Sequence, residues 1–332
     1  MSIALHVMAA FAAAALLCHW LRGVLTRLDV VDRPEARRLH SGTVPRGGGL
    51  AIAVVVGVAV AASPLPADQR WSWLLAGAGF ALLGAWDDWR SRRPDVRLVL
   101  HLAMATTWVM TMPGTVQTLH GLVAAALVFA VVWSINLFNF MDGADGFAAT
   151  EAMMVALAMA AAFAHAGAAT LAEIQLVLAA ACAGFLLFNW APARLFLGDS
   201  GSYLLGFQWA AMGWQAWLSG IAPAVPLALV APFVADASLT LIARAARGER
   251  FWLAHRSHAY QRLIVGGWSP RRLVAALVVL NLSVCWPLAW YALRGGVRAW
   301  LACALCYGVV ISLWYITTVS YPPQGDKPSS TS

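Results

Sequence analysis

Apolar runs of about 17 to 22 residues recur along the whole sequence, and each can cross a hydrocarbon core of about 30 Å as a helix. Only 11% of the 332 residues are charged, against roughly a quarter in an ordinary soluble domain. The sequence therefore predicts an all-α integral membrane protein with about 11 transmembrane helices. The expected spans lie near residues 2–21, 49–64, 71–86, 98–113, 121–138, 150–166, 171–189, 202–219, 223–243, 272–292 and 298–319.

The recurrence of these runs from end to end favours a single polytopic domain over residues 1–320. A flexible cytoplasmic tail is expected at 321–332, where proline, glycine, serine and threonine accumulate. The first run lacks a basic stretch before it and a small-residue cleavage site after it, which favours a retained helix over a signal peptide. All five cysteines fall inside apolar spans, so neither a disulfide nor a cysteine metal site is expected.

The basic residues predict the orientation of the spans. Nineteen of the 22 lysines and arginines fall on one set of alternate loops, and basic residues near span ends tend to stay cytoplasmic. The N-terminus is therefore expected outside and the C-terminus inside. Anionic lipid headgroups account for the net charge of +7, so no nucleic acid partner is needed to explain it. Twelve of the 15 acidic residues share the same side of the membrane.

Two adjacent carboxylates, Asp87 and Asp88, follow the third run directly. Like charges held this close repel each other, so the pair invites a divalent cation or phosphate chemistry. For this motif alone, two solvated loop acids beside Arg90, Arg92 and Arg93 are the alternative.

Asn136, Asn139, Asp142 and Asp145 leave the fifth run at strict three-residue spacing, in WSINLFNFMDGADGF. Positions three apart are neighbours on a helix surface, and the glycines of DGADG let the backbone approach a ligand closely. Asn136 could equally join two membrane helices by hydrogen bonding. That alternative does not explain DGADG, which favours a binding site.

A third acidic motif, FLGDSGS, places Asp199 among glycines and serines at the start of the eighth run, shortly after Asn189. A carboxylate there offers an oxygen ligand to a metal, and the free backbone N–H groups of a helix start suit a phosphate. The same residues would also serve as ordinary helix caps. Both roles stay open.

Basic residues and histidines form two further motifs. One long loop ends in His255, Arg256 and His258, and the first loop carries Arg46 before three glycines. The planar arginine fork suits phosphate groups at a membrane surface, although anionic lipids are the alternative partner for the other arginines of the long loop. The sequence contains neither a P-loop nor a strand-borne dinucleotide motif, so an ATPase or a Rossmann enzyme has no support.

In this order, the motifs resemble those of the polyprenyl-phosphate N-acetylhexosamine-1-phosphate transferases, glycosyltransferase family 4, and most closely its O-antigen-initiating branch. The resemblance runs from about residue 29 to residue 263. It comprises RRLHSGTVPRGGG, the Asp87-Asp88 pair, NLFNFMDGADG, FNWAPARLFLGDSGS, Asp236 and the histidine loop.

This resemblance implies a multi-pass enzyme of a bacterial inner membrane with its active site on cytoplasmic loops. Its partners would be undecaprenyl phosphate, a UDP-N-acetylhexosamine and membrane lipids, with a homodimer left open. The implied cofactor is Mg²⁺, with Mn²⁺ as an alternative. The implied product is undecaprenyl-diphosphate-sugar, formed in the first membrane step of O-antigen or other cell-surface polysaccharide synthesis.

The resemblance also assigns roles to residues. Asp87 and Asp88 match the catalytic acidic pair, and Asp199 matches the principal magnesium ligand, with Asp88 also in the metal shell. The positions that match the substrate pocket are Arg46, Asn139, Asp142, Asp145, Asn189, Phe196, His255, Arg256 and His258. Among these, Asn189 and Phe196 stand where relatives hold the uracil ring.

Two departures from the family pattern affect the expected substrate. Where many relatives carry His-x-His-His, this chain has HAYQ from His258 onward, similar to O-antigen initiators that use 6-deoxy-N-acetylhexosamines. The lysines that follow the acidic pair in peptidoglycan relatives are also missing, with Arg92, Arg93 or Arg97 as substitutes. Peptidoglycan lipid I synthesis is therefore disfavoured.

The implied reaction brings two anions together, so it needs charge neutralisation and in-line positioning more than covalent help. A phosphate monoester with a second pKa near 6 is largely deprotonated at pH 7. Direct attack is therefore favoured, with Asp87 orienting the nucleophile, while a covalent phospho-aspartate stays open. The alternative from another class is a transporter or flippase with cytoplasmic ion sites, which would place charges near the middle of the membrane.

Overall fold

The computed structural model describes residues 2–33, 43–90, 92–112, 121–250, 253 and 255–322. The expected tail beyond residue 322 and the RRLHSG part of the first basic motif lie outside these ranges. A short antiparallel ribbon pairs β1 (Val31–Asp32) with β2 (Val44–Pro45).

Helices dominate the rest of the described chain. They are α1 (Ile3–Arg27), α2 (Gly49–Ala62), α3 (Ala67–Trp89), α4 (Pro94–Thr111), α5 (Gly121–Met141), α6 (Phe147–His165), α7 (Ala169–Asn189), α8 (Gly198–Leu218), α9 (Ala224–Leu229), α10 (Ala231–Ala246), α11 (Ala259–Val265), α12 (Pro270–Leu280), α13 (Trp286–Ala292) and α14 (Gly296–Ser320). A π-helical turn, Asn281–Cys285, joins α12 to α13.

Six helical stretches of the described chain are long and apolar enough to cross a membrane: α1, α5, α6, α7, the continuous stretch from α12 to α13, and α14. The protein is thus an all-α, multi-pass membrane protein. The other expected spans coincide with α2, α3, α4, α8 and the pair α9–α10, which are shorter or carry more polar residues. The number of eleven spans and the orientation stay predictions.

The core of the bundle forms around α6, α7 and α8. In α6 and α7, 72% of the most apolar window is buried, against 17% in α1 at the periphery. Both buried helices are rich in alanine, and small side chains let membrane helices approach closely. α7 packs on α6 and α1, and α8 packs on α3 and α5.

Glycines bring α2 and α3 into backbone contact with the start of α8. A Cβ atom on Gly49 would lie 2.0 Å from the Cα atom of Gly201, and one on Gly84 would lie 2.2 Å from the carbonyl oxygen of Asp199. No larger residue fits either crossing. As a result, the C-terminal end of α3, with its acidic pair, lies directly against the first turn of α8.

Candidate active site

Asp88 caps the start of α8 from a different helix. Its carboxylate is buried at the end of α3, where Oδ1 accepts the backbone N–H of Asp199 at 2.9 Å and Oδ2 accepts that of Ser200 at 3.1 Å. The first N–H groups of a helix have no partner within it, and a negative charge there also interacts favourably with the helix dipole. Asp88 therefore fixes the two helix ends to each other. Its additional role as a metal ligand stays a prediction.

Arg46 also contacts the end of α3, where that helix meets the start of α8. Its Nη2 donates to the carbonyl oxygen of Asp88 at 2.6 Å and its Nε donates to the same oxygen at 3.1 Å. The backbone at Arg46 pairs with Phe196, whose N–H donates to the Pro45 carbonyl at 2.9 Å. Carbonyl groups at a helix C-terminus carry partial negative charge, which the guanidinium offsets. The predicted residues Arg46 and Phe196 thus lie side by side, and Arg46 contacts the acidic pair.

Asp87 is almost completely buried, and its two carboxylate oxygens differ in their hydrogen-bond partners. The hydroxyl of Tyr203 donates to Oδ2 at 2.7 Å, whereas Oδ1 is buried and has no hydrogen-bond partner among the described residues. A buried carboxylate oxygen without a partner costs free energy. Such an atom is typical of a site whose ligand supplies the missing partner.

Asp199 faces one amide and one guanidinium. Its Oδ1 accepts from Asn139 Nδ2 at 2.6 Å, and its Oδ2 lies 3.8 Å from Nη1 of Arg97. The Nδ2 of Asn139 also donates to Ser202 Oγ at 3.1 Å. The structure therefore brings Asn139 and Asp199, predicted from separate motifs, into direct contact and adds Arg97 to them.

Asp142 lies in the loop after α5 among other acids. Burial raises the pKa of its carboxyl well above the usual range, and the negative charges of Asp199, Asp88 and Asp145 raise it further. Asp145 itself accepts the backbone N–H of Ala193 at 3.0 Å through Oδ2. The DGADG loop thus adds two carboxyl groups to the site, and a bound cation would favour the ionised form of Asp142.

Asn189 braces the loops beside the site. Its side chain is buried, Oδ1 accepts the backbone N–H of Gly146 at 2.9 Å, and Nδ2 donates to the Leu195 carbonyl at 3.0 Å. Both ends of the amide therefore serve the protein's own backbone. The structure gives Asn189 this bracing role, and its expected contact with a uracil ring stays a prediction.

Asp236 anchors the histidine loop. Its carboxylate accepts the backbone N–H groups of Ala259 at 2.8 Å and Tyr260 at 3.1 Å, which begin α11, and its Oδ1 lies 3.7 Å from Nδ1 of His258. The Tyr260 hydroxyl donates to the carbonyl of Phe140 at 2.9 Å, and the His258 ring stacks on Phe140 with centroids 5.9 Å apart. These contacts place His258 beside the end of α5.

His255 and Arg256 share this loop. Burial lowers the pKa of His255 to about 3, and the neighbouring positive charge that His258 and Arg244 can carry lowers it further. His255 is therefore neutral at pH 7, and its Nδ1 lies 2.9 Å from the hydroxyl oxygen of Ser257. Arg256 is partly exposed beside it. This loop offers a neutral imidazole and a guanidinium next to the acids.

Comparison with known proteins identifies the family. Residues 70–216, which include both acidic residues of α3 and Asp199, match glycosyl transferase family 4. Over 300 residues the chain is 31% identical to the decaprenyl-phosphate N-acetylglucosaminephosphotransferase of Mycobacterium tuberculosis, covering 76% of this chain and 74% of that protein. The chain belongs to glycosyl transferase family 4.

Two other relatives of this family carry different names. A Bacillus subtilis protein named "Probable undecaprenyl-phosphate N-acetylglucosaminyl 1-phosphate transferase" is 25% identical over 90% of this chain and 87% of its own length. A phospho-N-acetylmuramoyl-pentapeptide-transferase of Synechococcus is 30% identical over 76% of this chain and 77% of its own length. The family is thus one of polyprenyl-phosphate sugar-1-phosphate transferases.

The residues present fit the Mg²⁺ ion that the family implies. Within the described ranges, no group of three or more histidine, cysteine or acidic side chains is placed to hold a metal unaided. Mg²⁺, however, usually takes one or two carboxylates together with water and substrate phosphates. The all-oxygen donors, the unpartnered Oδ1 of Asp87 and the mutual repulsion around Asp142 all suit such a cation.

Most of the predicted site residues converge in one place. Asp88, Arg46, Asn139 and Asp199 form the centre together with Asp87. Asp142 of the DGADG loop lies close to these acids, and Tyr260 connects the histidine loop to the end of α5. The site prediction omitted Tyr203 and Asp236, although Asp236 belongs to the family resemblance. Tyr203 lies four residues after Asp199, so both side chains are on one face of α8. This spacing could have indicated from the sequence that Tyr203 belongs near the site.

Proposed function

We propose that this protein transfers an N-acetylhexosamine 1-phosphate from a UDP-sugar to undecaprenyl phosphate. In this reaction an oxygen of the lipid phosphate attacks the β-phosphorus of the UDP-sugar. The bond between the β-phosphorus and the bridging oxygen breaks, UMP leaves with that oxygen, and undecaprenyl-diphosphate-sugar forms. The reaction takes place at the cytoplasmic face of a bacterial inner membrane, where a soluble nucleotide sugar and a lipid-anchored phosphate can meet.

The observation that carries the proposal is the meeting of Asp87, Asp88 and Asp199 between two arginines. Arg46 donates a hydrogen bond to the backbone carbonyl of Asp88, and Nη1 of Arg97 lies 3.8 Å from Oδ2 of Asp199. Phosphoryl transfer needs positive charge near the phosphates and fixed carboxylates near the reacting oxygens. This arrangement supplies both at one end of the bundle.

Each acid has a separate part in the proposed reaction. Asp199 would hold Mg²⁺, or Mn²⁺ as an alternative, with Asp88 in the surrounding shell. When bound, the ion neutralises charge on the phosphate oxygens. Asp87 orients the lipid phosphate through its unpartnered Oδ1 and accepts any remaining proton. Since the nucleophile is largely ionised at pH 7, direct attack is proposed and no covalent intermediate is required.

The histidine loop is proposed to select the sugar. His255, Arg256 and His258 lie on the loop that Asp236 and Tyr260 fix against α5. The HAYQ sequence replaces two histidines of other family members, which favours a 6-deoxy-N-acetylhexosamine donor. The proposed product is the first lipid-linked intermediate of O-antigen or another surface polysaccharide.

The test is UMP release from purified protein in detergent. The assay contains undecaprenyl phosphate, Mg²⁺ and a panel of UDP-N-acetylhexosamines that includes 6-deoxy sugars. UMP release that requires the lipid, the metal and Asp199, judged with EDTA and Asp199→Asn controls, is the expected result. No UMP with any donor, from protein shown to be folded, would overturn the proposal and favour the transporter or flippase alternative.

A further inference from the structure

A buried network outside the predicted site reaches Asp87 through Tyr203. Tyr203 is 1% exposed and lies on α8 four residues after Asp199, so the two side chains share one face of that helix. On α4, Arg97 and His101 are likewise four residues apart. The two pairs face each other, because Arg97 approaches Asp199 and His101 packs edge-on against the Tyr203 ring with centroids 4.5 Å apart.

The Tyr203 ring is fixed from several sides, so the direction of its hydroxyl is fixed too. His101 packs against the ring, and the whole side chain is almost completely buried. From this position the hydroxyl donates to Oδ2 of Asp87 at 2.7 Å. A hydrogen bond to an ionised acceptor is short and roughly twice as strong as a neutral one. Tyr203 thus joins α8 and α4 to the acidic end of α3.

This contact makes the two oxygens of Asp87 unequal. Oδ2 is occupied by the Tyr203 hydroxyl, whereas Oδ1 is buried without a partner among the described residues. Rotation of the carboxylate would break the bond to Tyr203. The orientation of the available oxygen is therefore set by a residue that is itself almost completely buried.

We infer that Tyr203 is a positioning residue that holds the Asp87 carboxylate with Oδ1 free to serve the reacting groups. The inference rests on the proposed function and extends it to a residue outside the predicted acidic, amide and histidine motifs. It predicts a change in the rate of the chemical step without a change in substrate binding, because only the orientation of Asp87 is lost.

The test is a double-mutant cycle between Tyr203→Phe and Asp87→Asn, with kcat and both KM values measured through UMP release. Tyr203→Phe keeps the ring and its contact with His101 and removes only the hydroxyl. The expected result is a fall in kcat of tenfold or more, with KM for the UDP-sugar and for undecaprenyl phosphate within twofold of wild type. In the Asp87→Asn background, Tyr203→Phe should cause little further loss.

Tyr307→Phe is the matched control, because Tyr307 is a partly buried tyrosine of α14 outside the site. It should leave kcat within twofold of wild type. Thermal unfolding of the four proteins of the cycle adds a readout that needs no substrate, and the loss of melting temperature should be non-additive there as well. Wild-type UMP release judges the proposed function, whereas the ratio between variants judges this inference. A Tyr203→Phe enzyme with wild-type kcat, or an equal loss in both backgrounds, would overturn it.

Discussion

Oδ1 of Asp88 accepts the backbone N–H of Asp199 at 2.9 Å, so one acid of the pair positions the residue expected to bind the metal. The two adjacent carboxylates therefore have different surroundings. The Asp88 carboxylate accepts hydrogen bonds from backbone N–H groups at the start of α8, whereas one carboxylate oxygen of Asp87 has no partner among the described residues. Adjacent acids in the sequence need not share one role.

Replacing Asp88 by asparagine should destabilise the protein as well as inactivate it. The amide can accept only through its oxygen, so its NH₂ group would face the N–H of either Asp199 or Ser200. A lost hydrogen bond with a buried unsatisfied donor costs about 1–3 kcal/mol. A lower melting temperature of Asp88→Asn checks this, with the exposed Asp95→Asn as a control. An unchanged melting temperature would contradict the capping role.

Asp199→Asn should abolish both activity and the response to magnesium. Ligands that bind only the folded state raise its stability, so Mg²⁺ should raise the melting temperature of the wild type. The variant keeps a hydrogen-bonding side chain for Asn139 but loses the negative charge that a metal needs. We expect at least a hundredfold loss of UMP release, on the order of 3 kcal/mol, and no magnesium shift. A full magnesium shift in this variant would place the metal elsewhere.

Arg46→Lys should not replace arginine at the end of α3. The guanidinium donates through two nitrogens to the Asp88 carbonyl, and a lysine ammonium lacks this planar fork. Activity should fall by roughly tenfold, equivalent to about 1.4 kcal/mol in the barrier. Kinetics of UMP release check this, with the exposed Arg298→Lys as the matched control. Equal activity of Arg46→Lys and wild type would show that charge alone is sufficient.

Asp236→Asn should loosen the histidine loop and weaken nucleotide-sugar binding. The variant leaves one of the two backbone N–H groups that start α11 without an acceptor. KM for the UDP-sugar should rise severalfold, because Asp236 anchors the histidine loop that is proposed to select the sugar. KM for undecaprenyl phosphate should change little. Steady-state kinetics with each substrate varied in turn measure both. A selective change in the lipid KM would contradict the proposed role of this loop.

Stability in the absence of metal should depend on the ionisation of Asp142. The pKa of Asp142 is raised in the folded protein, so the folded state holds this proton more tightly than the unfolded state. Stability from this group is therefore present at low pH and is lost as the pH rises above about 4, the usual aspartate value. In EDTA, Asp142→Asn should flatten the decline in melting temperature that accompanies a rise in pH above about 4. An unchanged slope would show that the ionisation of Asp142 does not affect the stability of the folded state.

Several features could be predicted from the sequence because they depend on local patterns. The apolar runs indicated the helical membrane fold, and the motifs indicated that Asp87, Asp88, Asn139 and Asp199 belong to one site. In the structure Asn139 and Asp88 both contact Asp199, and their roles in a reaction stay predictions. Hydropathy alone cannot specify the span count, because helices such as α3 and α8 carry polar residues within the bundle.

Other features depend on contacts between distant segments, which local patterns do not encode. Glu151 is fully buried in α6 and accepts a hydrogen bond from Asn281 at 2.6 Å, 130 residues away, a contact that no local pattern indicates. Tyr203 reads as an ordinary aromatic residue of an apolar run until α3 is placed beside α8. The amide of Asn189 likewise pairs with backbone groups that only the folded loops bring near it.

The glycine crossings at Gly49 and Gly84 limit how enzymes of this design can be diversified. Because the acidic site forms only where three backbones touch, a side chain at either position would separate the catalytic groups before it altered any substrate contact. Libraries intended to change the sugar should leave these crossings untouched and vary the loop around Arg256, which the crossings do not support. Donor preference and phosphate chemistry would then evolve independently on one scaffold.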